Sequence, residues 1–168
     1  MGKDTLRIIS PNGHLGFAPT KEGSFYIGAE TKPDYYCCDS GSDDIGPVPL
    51  GMDKCASHPD WQYHDLELML LASREQGVPM IIGSAGDTGT NSRVDMYVEM
   101  IRDMAKKHGL KKFKLAYFYS EVDKEYLRRK MLAGETIEGL NSRTSLTMEE
   151  LDATTRIVAV SGVHPFIK

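Results

Sequence analysis

The chain has 168 residues, 40% of them hydrophobic and 26% charged, which is the balance of a globular domain with a sizeable core. The formal net charge is −4 and the basic residues cluster only in the short runs KKHGLKKFK and YLRRK, so the composition argues against nucleic-acid binding. No segment approaches the roughly 18 to 20 apolar residues that span a bilayer, and the first residues lack the apolar region of a signal peptide, so we expect a cytoplasmic protein that does not enter a membrane.

Five short, continuously apolar runs predict buried strands, since strands covered on both faces show this pattern. They are residues 6–10, 34–39, 79–83, 113–119 and 156–162. Cys37 and Cys38 lie in the second run and are expected to be core thiols, with a catalytic thiol as the alternative. Together with Cys55 they make an odd number, which predicts neither a disulfide framework nor a zinc site.

Helical patterns alternate with these runs. The sequence predicts helices at residues 60–76 and 93–108, a third from Ser120 to near Gly134, and a short fourth capped by Thr147 and Glu150. This alternation predicts one α/β domain over residues 1–168, Rossmann-like, with a doubly wound, mostly parallel sheet of about five strands and flanking helices. Residues 11–32 and 40–59 are predicted to be irregular, and both follow strand ends, where open α/β sheets bind ligands.

The first loop, SPNGHLGFAP, follows the first predicted strand. Gly13 and Gly16 allow a tight turn or a close approach to a ligand, and His14 lies between them. Its imidazole is a candidate general acid or base; the alternative is an exposed loop histidine.

The second loop, DSGSDDIGP, begins at the end of the second predicted strand. Asp39, Asp43 and Asp44 gather carboxylates near Ser40 and Gly41. Such carboxylates can hold a hard cation or a substrate hydroxyl or amine, or they form Asx turns and helix caps. The spacing does not match an EF-hand loop, so we assign no metal site.

The third loop spaces its glycines as GxxGxxG and leads into the helix of residues 93–108. It comprises Gly83, Ser84, Ala85, Gly86, Asp87, Thr88 and Gly89. Free N–H groups and the helix dipole there favour an anion. Asp87 is expected to point away from an anion or to contact a hydroxyl, and Arg93 can clamp a carboxylate or lie on the surface.

Four segments together resemble the N-terminal region of acyclic terpene utilisation proteins of the AtuA type. They are RIISPNGHLGF, PDYYCCDSGSDDIGPVPLG, VPMIIGSAGDTG and IVAVSGVHPFI. Family members are longer, so the resemblance implies that this chain corresponds to their first part. It also implies a role in the catabolism of small branched acids or their CoA esters. Asp87 and Thr88 stand where the family continues with glycine and alanine.

We therefore expect a cytoplasmic enzyme that moves a proton on a small branched carboxylate or its CoA ester, as a hydratase, lyase or isomerase does. Asp39 and His14 are the candidate catalytic residues. The candidate substrate- or anion-binding residues are Gly13, Ser40, Gly41, Gly83, Ser84, Ala85, Gly86, Asp87 and Arg93. No cofactor is assigned beyond the CoA moiety of a substrate, and neither a dinucleotide fingerprint nor a P-loop is present.

The alternative hypothesis is a ligand-binding or assembly subunit without catalytic activity, completed by a partner chain or a further domain. We expect a homo-oligomer or such a partner in either case. A Ser-His-Asp hydrolase is rejected, because GSAG is not the GxSxG elbow of that class.

Overall fold

The computed structural model describes residues 4–41, 47–140 and 144–167. In chain order its elements are β1 (Ile8–Ile9), α1 (Glu22–Ala29), β2 (Tyr35–Gly41), α2 (Val48–Met52), α3 (Pro59–Gln76), β3 (Met80–Asp87), α4 (Asn91–Lys107), α5 (Lys124–Leu132), α6 (Met148–Ala153) and α7 (His164–Ile167). Asp43 and Asp44 of the second loop lie outside the described residues.

The three strands form one parallel sheet in the order β1-β2-β3. The predicted doubly wound sheet of about five strands is therefore wrong. Within the described residues the strand order runs in one direction without the reversal that defines double winding. Among the described residues, 113–119 join no ladder, and 156–162 form a single antiparallel bridge from Val158 to Glu121.

The five-strand prediction fails because an apolar run forms a strand only where a partner strand is available to pair with it. Residues 114–119 are all exposed, so the described part of the chain covers this run only in part, for example where the Phe118 ring contacts that of Phe166. A strand needs both cover and a ladder of hydrogen bonds, and neither is encoded in the run itself.

The helices match their predicted positions more closely than the strands do. Helices α3 and α4 lie within two residues of their predicted bounds, and α6 has the predicted capping box of Thr147 and Glu150. Helix α5 begins four residues later than predicted, because the Asp123 carboxylate accepts from the first-turn N–H groups and so acts as its N-cap. The predicted irregular regions contain α1 and α2.

The core lies between α3, α4 and one face of the sheet. Alternate residues of β2, namely Tyr36, Cys38 and Ser40, are buried on this face, whereas their neighbours are more exposed. Burial raises the pKa of the Cys38 thiol to about 11. Cys38 is thus a neutral core thiol as predicted, while Cys37 is only half-buried.

Candidate functional site

His14 and Asp87, which are 73 residues apart in the chain, meet where the loops after β1 and β3 converge. The His14 Nε2 atom lies 2.7 Å from Asp87 Oδ1. The Asp87 side chain has no exposed surface, whereas that of His14 is 17% exposed. The carboxyl ends of parallel strands share one edge of a sheet, and this pairing joins two of the three predicted loops there.

Four donors surround the Asp87 carboxylate. Besides His14, Ser57 donates its backbone N–H to Oδ2 at 3.1 Å and its hydroxyl to Oδ1 at 3.2 Å. The Gln62 amide donates to Oδ2 at 3.3 Å. These donors satisfy both oxygens of the buried carboxylate, as a buried polar group requires.

The acceptor role of Asp87 decides the tautomer of His14. Because an ionised carboxylate only accepts hydrogen bonds, the proton of a neutral His14 ring lies on Nε2. The Nδ1 atom is then the basic nitrogen, and it has no hydrogen-bond partner among the described residues. The ring of Phe17 flanks His14 with centroids 5.9 Å apart.

Ser57, His14 and Asp87 do not form the relay of a serine hydrolase. In that relay serine and aspartate contact opposite nitrogens of the histidine. Here the Ser57 hydroxyl lies 3.2 Å from the same Nε2 atom that Asp87 contacts. Ser57 therefore orients the carboxylate and is not activated as a nucleophile.

Asp65 of α3 holds the loop that carries His14. Its buried carboxylate accepts from the Asn12 amide at 2.7 Å, from Gly16 N at 3.0 Å and from Thr20 N at 2.8 Å. The N–H of Leu15 in addition donates to the Asp39 carbonyl oxygen of β2 at 2.9 Å. The loop is thus tied to both a helix and the sheet, which restricts the position of the imidazole.

The region predicted as a glycine loop is largely strand. Strand β3 continues to Asp87, and a register shift places three residues of β3 opposite one of β2 between the Asp39–Gly83 and Gly41–Asp87 pairs. Ser84, Gly86 and Asp87 have positive φ in this bulge, which turns the Asp87 side chain inward toward His14. Asp87 therefore points into the site and, of the two expected alternatives, contacts a hydroxyl, that of Ser57.

The space beside the Gly86 backbone is filled by another side chain of the same protein. A Cβ atom there would lie 2.9 Å from Arg93 Cβ, so the glycine leaves room for the Arg93 side chain. The Gly86 N–H donates to Ser40 Oγ at 3.3 Å and the Gly89 N–H to the Ala85 carbonyl oxygen at 2.9 Å. These two N–H groups are not free for an anion.

The groups at the start of α4 that were predicted to bind an anion already contact carboxylates of the chain itself. The Asn91 N–H in the first turn donates to Glu121 Oε1 at 2.8 Å. Arg93 Nε lies 3.6 Å from Asp53 Oδ1. An external carboxylate would have to displace these groups.

The remaining predicted residues lie near the convergence point but have other contacts. Asp39 is exposed and its Oδ1 accepts from Gly41 N at 2.9 Å. Ser40 is buried and its hydroxyl pairs with the Tyr97 hydroxyl at 2.5 Å, where burial raises the Tyr97 pKa. Gly13 is exposed with open space around its Cα, and Gly83 packs beside the Asp39 carboxylate.

Sequence reasoning missed Ser57, Gln62 and Asp65. The last two lie in helical spacing with the core residues Leu66 and Met69, so they are polar side chains on an apolar stripe. That placement is the signal that could have found them, because a buried polar side chain needs a specific partner. The Gln62 Oε1 atom is buried without a partner among the described residues.

Comparisons with family models, curated proteins and solved structures found no match for this chain. Among the described residues, no group of three or more His, Cys, Asp or Glu side chains has an arrangement that could hold a metal ion. The helices in those same ranges are all too short or too polar to cross a membrane.

Proposed function

We propose that the protein is a cytoplasmic catabolic enzyme in which His14 transfers a proton on a small branched carboxylate or its CoA ester. The observation that carries the proposal is the 2.7 Å contact between His14 Nε2 and the fully buried Asp87 carboxylate. A histidine held in this way has a defined tautomer, a defined orientation and one open basic nitrogen, which a general base requires.

In this mechanism Asp87 is a positioning residue. Its negative charge stabilises the imidazolium that forms when Nδ1 takes a proton from the substrate carbon next to the carbonyl group. The same imidazolium returns the proton at a later step, as hydratases, lyases and isomerases require. Asp39 has no assigned part, because it is exposed and bonded to Gly41.

The substrate class follows from the resemblance to acyclic terpene utilisation proteins. The unpaired Gln62 Oε1 beside Asp87 supports a bound molecule with a hydrogen-bond donor, since a buried acceptor without a donor is costly. The CoA moiety of the substrate is the one cofactor group that the proposal assigns.

The test is solvent deuterium incorporation, followed by NMR, into a panel of branched five-carbon acids and their CoA esters in D2O. The chain should label the carbon next to the carbonyl of at least one compound. His14→Gln and Asp87→Asn should each lower that rate by about 10²-fold or more, the usual contribution of a positioned acid or base.

His108→Gln is the matched control, because His108 is partly exposed and its imidazole bonds to Glu67 on the surface of the chain. It should keep the full rate. A folded His14→Gln protein that labels as fast as the unsubstituted chain would remove His14 from the mechanism.

A second candidate function is the assembly subunit, and one observation favours it. Large apolar side chains near the end of the described residues are exposed, namely Val160, Val163, Phe166 and Ile167. Such a surface is typical of a protein that contacts another chain. Absence of labelling in every compound of the panel would favour this candidate over the enzyme.

A further inference from the structure

Residues 113–119, FKLAYFY, combine strong strand propensity with unusual exposure. Residues 114–119 are all exposed, including Leu115 at 37%, Tyr117 at 47% and Tyr119 at 49%. The rings of Tyr117 and Tyr119 are in contact at 5.9 Å, the i, i+2 relation of side chains on one face of an extended chain. We call these residues the open strand.

The backbone of the open strand has no hydrogen-bond partner in the described ranges. The nearest backbone bonds join Leu110 N to Ala105, Val122 N to Ile157, and Ala159 N to Ser120, on either side of it. A run of apolar residues with unpaired N–H and C=O groups is a template for pairing with another strand.

The total accessible surface also exceeds that of a compact monomer. The chain exposes 11312 Å², whereas a compact protein of 18.7 kDa exposes roughly 8,300 Å². The excess of about 3,000 Å² per chain is larger than the roughly 1,000 to 2,500 Å² that each partner of a permanent homodimer buries, so one such interface accounts for part of it.

We propose that the open strand pairs antiparallel with the open strand of a second copy of this chain, about a two-fold axis at Tyr117. A two-fold interface must be self-complementary, and this segment has that property in its charges. Lys111, Lys112 and Lys114 precede or begin the strand, while Glu121 and Asp123 follow it.

Antiparallel pairing about Tyr117 therefore brings the basic end of each copy to the acidic end of the other. It sets Lys111 opposite Asp123 and the apolar Leu115 opposite Tyr119, and both kinds of pair stabilise sheets. A second copy of this chain meets these conditions, so the pairing does not require a partner of different sequence. The proposal is independent of the catalytic role of His14.

The first test is sedimentation velocity over a concentration series. The chain should behave as a dimer of twice its 18.7 kDa mass. Tyr117→Lys places like charges opposite each other at the axis and should raise the dimer dissociation constant at least tenfold. Tyr126→Lys is the matched control, because Tyr126 on α5 is also 47% exposed, and it should leave the dimer intact.

The second test distinguishes this interface from any other dimer. Tyr117→Cys should form an intermolecular disulfide under mild oxidation, because directly opposed residues of antiparallel strands have Cβ atoms about 5 Å apart. Tyr126→Cys should not. A chain that stays monomeric at 100 µM concentration, or a dimer that does not cross-link through position 117, would overturn the proposal.

Discussion

Gly16 shows how one residue without a side chain allows the site to form. Its φ is +83°, and a Cβ atom there would meet Gln62 Cγ and the backbone of α3 at Gln62. The loop that carries His14 therefore packs directly on the helix that carries Gln62 and Asp65. Any side chain at position 16 would separate these two parts of the site.

Gly16→Ala is expected to lower the free energy of unfolding by about 2 kcal/mol or more, from the left-handed backbone and the overpacking against α3. Urea denaturation would measure this. Gly13→Ala is the control in the same loop, because nothing lies within 4 Å of its Cβ position, and it should change stability by less than about 0.5 kcal/mol. Equal effects of the two substitutions would contradict this account of the packing at Gly16.

At the scale of elements, helix α3 is the support of the candidate site. Gln62 reaches Asp87 at the end of β3, and Asp65 reaches three groups of the loop between β1 and α1. One helix thus contacts both Asp87 and the loop that carries His14. Asp65 thus restricts the position of the imidazole through the loop that carries His14.

Asp65→Asn should loosen this loop without unfolding the helix. An amide retains one acceptor oxygen and places an NH2 group against donors, so the three bonds cannot all be kept, and a loss of about 2 kcal/mol is expected. Amide hydrogen exchange at Gly16 and Thr20 would speed up. Asp60→Asn on the same helix is the control, because its side chain is 89% exposed, and unchanged exchange in both variants would show that Asp65 does not hold the loop.

At the scale of the whole molecule, Asp53 connects regions that are distant in sequence. It lies after α2, accepts from Ser92 at the start of α4 at 2.8 Å, and pairs with Arg156 at 3.2 Å. Burial raises the pKa of this carboxyl, but the hydrogen bonds from Ser92 and Thr90 and the charges of Arg156 and Arg93 outweigh burial. The net result is a pKa below the ordinary value of 3.8.

This lowered pKa predicts a pH dependence of stability. A carboxyl with a depressed pKa in the folded state stabilises the protein above about pH 3.8, and the contribution is lost as the pH falls through the folded-state pKa. Asp53→Asn should therefore lower the free energy of unfolding at pH 7, and the difference should shrink as the pH falls below about 3.8. Urea titrations at pH 7 and at a series of lower pH values would measure this.

Asp103→Asn, at an exposed position of α4, is the control and should show no such difference. A deficit of Asp53→Asn that stays constant from pH 7 to pH 3 would mean that its cause is not the carboxylate charge.

Features that depend on neighbours within one or two turns of the chain could be predicted from the sequence. The capping box of Thr147 and Glu150, the left-handed Gly77 that ends α3, and the apolar stripe of α4 are of this kind. Their physical determinants, a side-chain acceptor, a missing Cβ and a 3.6-residue period, lie within the segment itself. The sequence by itself thus determined where α3 and α4 begin and end and where α6 begins, and that His14 lies in the loop after β1.

Only the tertiary structure decided how many apolar runs become strands and which side chains meet. Residues 35–39 pair with neighbouring strands, whereas residues 113–119 pair with no strand in the described part of the chain, although both runs are apolar. Likewise, the contact of His14 with Asp87 and the support from Ser57 depend on the β3 bulge and on packing between segments tens of residues apart. Burial and hydrogen-bond pairing belong to pairs of segments, so no single segment can encode them.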